Sequence, residues 1–125
     1  MKRLFINHRI YFWLLITLAL VALASFADLG VFVVTGGSME PTYHEGERVV
    51  VDKYGWWVLP LHTGNVVVFA DPHGKVNFDI KRISPQSSEP GTYFLLGDNV
   101  NNSTDSRSFG AVPSSYIVGR VIIKL

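Results

Sequence analysis

At 125 residues the chain has room for one domain, or one domain with an appendage, and it carries no cysteine. Disulfides, thiolate metal sites and cysteine nucleophiles are therefore excluded together. The net charge of +1 hides an asymmetry, because Lys2, Arg3 and Arg9 precede a long uncharged run and the remainder is net acidic. No basic surface for nucleic acid follows from that distribution.

Eighteen residues from Ile10 to Ala27 carry no charge. As a helix they would span about 27 Å, just enough for a bilayer core. Tyr11 and Trp13 stand at the start of the run, where an interfacial aromatic belt belongs. The basic residues before it and Asp28 after it place the N-terminus (1–9) in the cytoplasm and residues 28–125 outside, with 10–27 as the anchor. A cleavable signal peptide is the competing reading, since Ala22-Leu23-Ala24 precedes Ser25 behind an apolar core. Both readings send the rest of the chain across the membrane.

After Asp28 the pattern turns extended. Apolar, β-branched runs recur at Val31–Val34, Arg48–Asp52, Asn65–Ala70, Phe78–Ile83, Thr92–Leu96 and Ile117–Ile123. Turn-forming residues separate them at His44-Glu45-Gly46, His62-Thr63-Gly64, Asp71-Pro72-His73-Gly74 and Pro85 to Gly91. Short strands at this spacing, with no helical stretch between them, indicate a mainly β, compact antiparallel domain. In Tyr54-Gly55-Trp56-Trp57-Val58-Leu59-Pro60 the adjacent tryptophans would face opposite ways if extended. They fit a core residue with a lid, or a contact with the bilayer interface.

The chemistry centres on Gly36-Gly37-Ser38-Met39-Glu40-Pro41, which presents a small hydroxyl in a glycine-bearing turn at the end of an apolar run. Glu40 breaks the Gly-x-Ser-x-Gly elbow, and no lysine follows at the Ser-x-x-Lys position. His44, His62 and His73 sit in turns, where a solvated imidazole is the ordinary state, and His8 falls on the cytoplasmic side. Lysine remains as the base. Lys53 and Lys75 adjoin turns and Lys124 adjoins the C-terminus, whereas Lys81 lies inside a mostly apolar strand, on the face of Asp79 and Ile83. Burial would favour the neutral amine that a base requires. From the segment alone, an exposed strand lysine is the favoured reading. Gly97 and Gly110 bracket a dense polar run that reads as a surface loop or as a structured site.

Four blocks in order carry a resemblance: Gly37–Thr42 continuing through Gly46 to Lys53, Gly64–Phe69, Lys81–Ile83, and Gly97-Asp98-Asn99 through Ser103, Asp105-Ser106-Arg107 and Gly110–Pro113, with Ile117–Gly119 after it. The stretch from Val31 to Val121 resembles the type I signal peptidases, Ser/Lys membrane proteases. The resemblance implies Ser38 as nucleophile, Lys81 as general base, and Ser103 as a hydrogen-bond partner that orients the lysine. It also implies structural ion pairs of Asp98 with Arg82 and of Asp105 with Arg107, and an oxyanion donor in the Ser38 N–H. It further implies a single-pass endopeptidase of the plasma membrane that cleaves exported precursors after small residues (an Ala-x-Ala site), with no cofactor and no metal. Departures are Gly36 where some members carry a second oxyanion hydroxyl, Ser84–Ser88 in place of Gly-Leu-Pro-Gly-Asp, Val100 for arginine and Asn65 for aspartate. Alternatives are a processing peptidase dedicated to one secretion, pilus or conjugation system, and a catalytically silent binding module of the same fold.

Overall fold

A computed structural model describes residues 7–26, 28–72, 78–86 and 88–125. The expectations that fall on Lys2, Arg3, Ala27, His73, Gly74, Lys75 and Ser87 lie outside the described residues. The chain opens with helix α1, His8–Phe26. It then forms strands β1 (Leu29–Val33), β2 (Arg48–Asp52), β3 (Val66–Phe69), β4 (Asp79–Ile83), β5 (Thr92–Tyr93) and β6 (Leu95–Leu96). A short helix α2 (Ser106–Phe109) and strands β7 (Val112–Pro113) and β8 (Ile117–Lys124) complete it. One six-stranded sheet runs in the order β1-β2-β8-β3-β4-β6, and β5 pairs with β7 apart from it. Every pairing is antiparallel.

The sheet is filled on both faces. All four residues of β3 are buried, which an uninterrupted Val-Val-Val-Phe run predicts for a strand covered on each side. Val66 and Val68 join Val34, Met39, Val49, Val51 and Ile80 in one cluster, while Val67 and Phe69 join Leu61, Ile83, Leu95, Val112 and Ile117 in the other. Burying one such side chain stabilises the fold by about 1.5–3 kcal/mol.

Three expectations need correction. The run Thr92–Leu96 is two strands in two sheets, broken at Phe94. The segment between β6 and β7 is not purely extended: Asp105 caps α2 by accepting from the Arg107 N–H, and Gly110 ends it at φ +81°. The two tryptophans do not alternate across a strand, because Gly55–Trp57 is a single 3₁₀ turn. Trp56 packs on the second cluster and its indole N–H donates to the Lys53 carbonyl at 3.0 Å, whereas Trp57 is 75% exposed.

α1 is a 19-residue helix whose first two residues are His8 and Arg9, and among the described residues no helix is long and apolar enough to cross a membrane. Its apolar side chains from Ile10 to Leu23 are mostly exposed all round.

Candidate active site

Ser38 sits in the turn between β1 and β2. Two features hold that turn. Met39 is fully buried in the first cluster, and the Tyr43 N–H donates to the Met39 carbonyl at 3.0 Å. Gly36 takes φ +73°, a backbone state that side-chain-bearing residues rarely adopt. Gly36 offers no hydroxyl, and the Ser38 N–H has no hydrogen-bond acceptor among the described residues.

Lys81 lies mid-strand in β4, with Val67 of β3 opposite, and is 1% exposed. Its Nζ lies 2.9 Å from the Ser38 Oγ, 2.9 and 2.8 Å from the two oxygens of Asp79, and 3.1 Å from the Ile80 carbonyl. The strand thus delivers a buried amine to the one serine hydroxyl presented by the turn. His44 and His62 are exposed and make no bond to Ser38, and Lys124 is exposed near the C-terminus.

Ser103 is placed differently from expectation. Its Oγ donates to the Asp105 carboxylate at 2.9 Å, and it is not among the bonded partners of Lys81. The physical reason is competition on both sides. Asp105 is a buried carboxylate that draws donors from Ser103, the Gly97 N–H and Arg107, while Asp79 occupies the lysine.

The structure brings Arg82 to Asp98 through two bonds of 2.8 Å each, and Arg107 to Asp105 through two of 2.9 Å. Arg82 holds the Asp98 carboxyl below its ordinary range, and the Thr42 hydroxyl adds to the effect at 2.7 Å. Asp105 is more extreme. Burial would raise its pKa, yet the bonds from Arg107, the Gly97 N–H and Ser103 outweigh that and lower it to about 2. Neither departure at Asn65 nor at Val100 empties its position. The Asn65 side chain accepts from the His62 N–H at 2.8 Å, and the Val100 carbonyl accepts from Arg107 at 2.9 Å.

Four residues without an assigned role shape the site. Asn99 clamps the nucleophile turn, with its N–H on the Ser38 carbonyl at 2.9 Å and its side-chain amide on the Gly37 carbonyl at 3.0 Å. Gly97 allows that approach, since a Cβ there would lie 2.1 Å from the Ser103 Oγ and 2.7 Å from the Ser38 carbonyl oxygen. Met39 and Asp79 complete the set. The motif Gly97-Asp98-Asn99 was the available signal for the clamp; Asp79 was signalled by sharing the strand face of Lys81, and Met39 only by adjacency to Ser38.

A family model described as signal peptidase, peptidase S26, matches residues 7–87 and 85–125. The chain belongs to this family. Mitochondrial inner membrane protease subunit 1 of Schizosaccharomyces pombe is 33% identical across 88% of this chain and 85% of its own. The Xenopus tropicalis protein of the same name is 30% identical across 84% and 74% respectively. Signal peptidase I V of Bacillus subtilis is 27% identical across 86% of this chain and 94% of its own. As an S26 peptidase the protein is a serine hydrolase, with the serine turn and the lysine strand inside the matched residues.

Proposed function

We propose that this S26 peptidase is a membrane-anchored endopeptidase in which Ser38 and Lys81 form the dyad that removes signal peptides from exported precursors. The observation that carries the reading is the 2.9 Å approach of the buried Lys81 amine to the Ser38 hydroxyl. That distance lies within the range of direct proton transfer. Once neutral, Lys81 accepts the Ser38 proton as the hydroxyl oxygen attacks the scissile carbonyl. The resulting ammonium then protonates the departing amine, leaving an ester on Ser38. Water attacks the ester with the same amine as base, and the acid half of the precursor is released. The Ser38 N–H supplies one donor to the oxyanion in both halves. Asp98–Arg82 and Asp105–Arg107 hold the two loops that frame the dyad, and Ser103 acts through Asp105.

Selection for small residues has physical support in a cleft lined by Phe32 to Thr35, Val49, Val68 and Phe78 to Ile80, which borders the lysine strand. It admits about 20 Å³, room for little more than one water-sized group. A cleft this narrow suits a small substrate side chain better than a large one. The exposed edge of β1 suits an extended substrate pairing through backbone bonds.

The anchor reading is supported by α1, whose apolar side chains from Ile10 to Leu23 are mostly exposed. Ala22 of α1 lines one cavity with Val58, Leu59 and Ile122. Exposed Val58 and Leu59 therefore stand beside the helix, and exposed Trp57 precedes them in the chain, a composition that suits the membrane interface. With the basic N-terminus in the cytoplasm, the β domain lies outside.

A fluorogenic peptide containing Ala-x-Ala tests the reading with the full chain in detergent micelles. Wild type cleaves it, and Ser38→Ala and Lys81→Ala each lose activity by about 10³-fold or more. Cleavage by Ser38→Ala at the wild-type rate removes the dyad.

A further inference from the structure

Asp79 has no part in the proposed chemistry, yet both its carboxylate oxygens contact the base. Both its carboxylate oxygens lie within 2.9 Å of the Lys81 Nζ, and its Oδ1 also accepts from the Ile80 N–H at 2.7 Å, which fixes the carboxylate on the strand. The other charges nearby are already paired: Arg82 with Asp98, and Arg107 with Asp105. Glu40, on the serine's own turn, is not among the bonded partners of Lys81, and the strand opposite Lys81 presents only Val66, Val67, Val68 and Phe69. Asp79 is thus the counter-charge of the buried amine.

We propose that Asp79 is a positioning residue that keeps the proton on Lys81 and so sets the pH at which the dyad turns on. The inference rests on the Ser38/Lys81 reading. A carboxylate in contact with a buried ammonium stabilises the charged pair, and removing the carboxylate leaves the amine buried without its counter-charge. An unpaired buried amine relieves that cost by losing its proton. The pair therefore trades reactivity at low pH for a fixed amine position. Asp79 also lines the small cleft. A substrate residue seated there covers the carboxylate, so binding and proton loss share one wall.

The experiment is the pH profile of kcat/KM for the full chain in micelles, comparing wild type with Asp79→Asn, Asp79→Glu and Lys81→Ala. In Asp79→Asn the acid limb moves down by about one pH unit or more. One unit below the wild-type midpoint, the fraction of plateau rate then rises from about a tenth to about half. Asp79→Glu keeps the charge and keeps the limb near that of wild type. A residue with a merely structural role scales the whole profile without moving the limb.

A limb that stays in place in Asp79→Asn, or moves as far in Asp79→Glu, overturns the inference while Lys81→Ala, if inactive, leaves the dyad standing. An active Lys81→Ala sinks the dyad reading instead. The Lys81 amine is also read without turnover, in the Ser38→Ala background, by its rate of acetylation with acetic anhydride against pH. Added Asp79→Asn brings the rise in that rate to lower pH, and an unchanged rise overturns the inference. Should Asp79→Asn fail to fold, Asp79→Ser makes the same two measurements.

Discussion

At Gly97 the difference between hydrogen and methyl decides whether two loops meet. A Cβ there would overlap the Ser103 hydroxyl and press on the Ser38 carbonyl oxygen. One of those neighbours is backbone, so relief must come from moving the nucleophile turn. Gly97→Ala is therefore expected to lower kcat/KM by about 10²-fold, the scale of an ångström's misplacement at a reacting centre. The protein should stay folded, as its circular dichroism would report. An active Gly97→Ala would mean that the Asn99 clamp does not position Ser38. Residue by residue, Ser38 and Lys81 stood out in the sequence only when the four blocks were read together, because each alone also fits a turn serine and an exposed strand lysine. Alternation put Asp79 on the face of Lys81 without giving it a role, and the resemblance made Ser103 a partner for the lysine. Which carboxylate captures which donor is settled by tertiary approach, and no local pattern carries it.

Among the elements, α2 shows how a four-residue helix can matter beyond its length. Asp105 caps it, receives Ser103 and the Gly97 N–H, and pairs with Arg107, with no exposed surface of its own. Its pKa falls from 3.8 to about 2 on folding. A carboxyl depressed in this way contributes stability that is present above the unfolded value and is lost as pH falls through the folded value. Here that window runs from about pH 4 down to about pH 2, and the contribution is roughly 2 kcal/mol at neutral pH. Urea denaturation of wild type should show this loss across that window. Asp105→Asn should be less stable at pH 7 by a comparable amount and lack the corresponding acid loss. Equal acid sensitivity of the two proteins would place the linkage elsewhere. The strands themselves were legible, because alternation and turn residues mark them; β2 has the boundaries that its sequence run indicates. The break at Phe94 was not legible, since the apolar run is continuous and only the pairing of β5 with β7 and of β6 with β4 separates the halves.

For the whole molecule, the proposed anchor makes catalysis a two-dimensional search. Deleting residues 1–27 should lower activity on a membrane-inserted precursor by tenfold or more beyond any loss on a soluble peptide. Equal losses on both substrates would sink the anchoring argument. The strand order carries a different consequence. The nucleophile turn belongs to β1 and β2, the base to β3 and β4, and β8, the last strand of the chain, lies between those halves. The strand that lies between β2 and β3 is thus made after both of them. The Asn99 clamp also comes late, 61 residues after Ser38 along the chain. Serine and amine thus sit in halves of the sheet separated by a strand that is made after both, and a chain cut before β8 holds the two halves of the site without the strand between them.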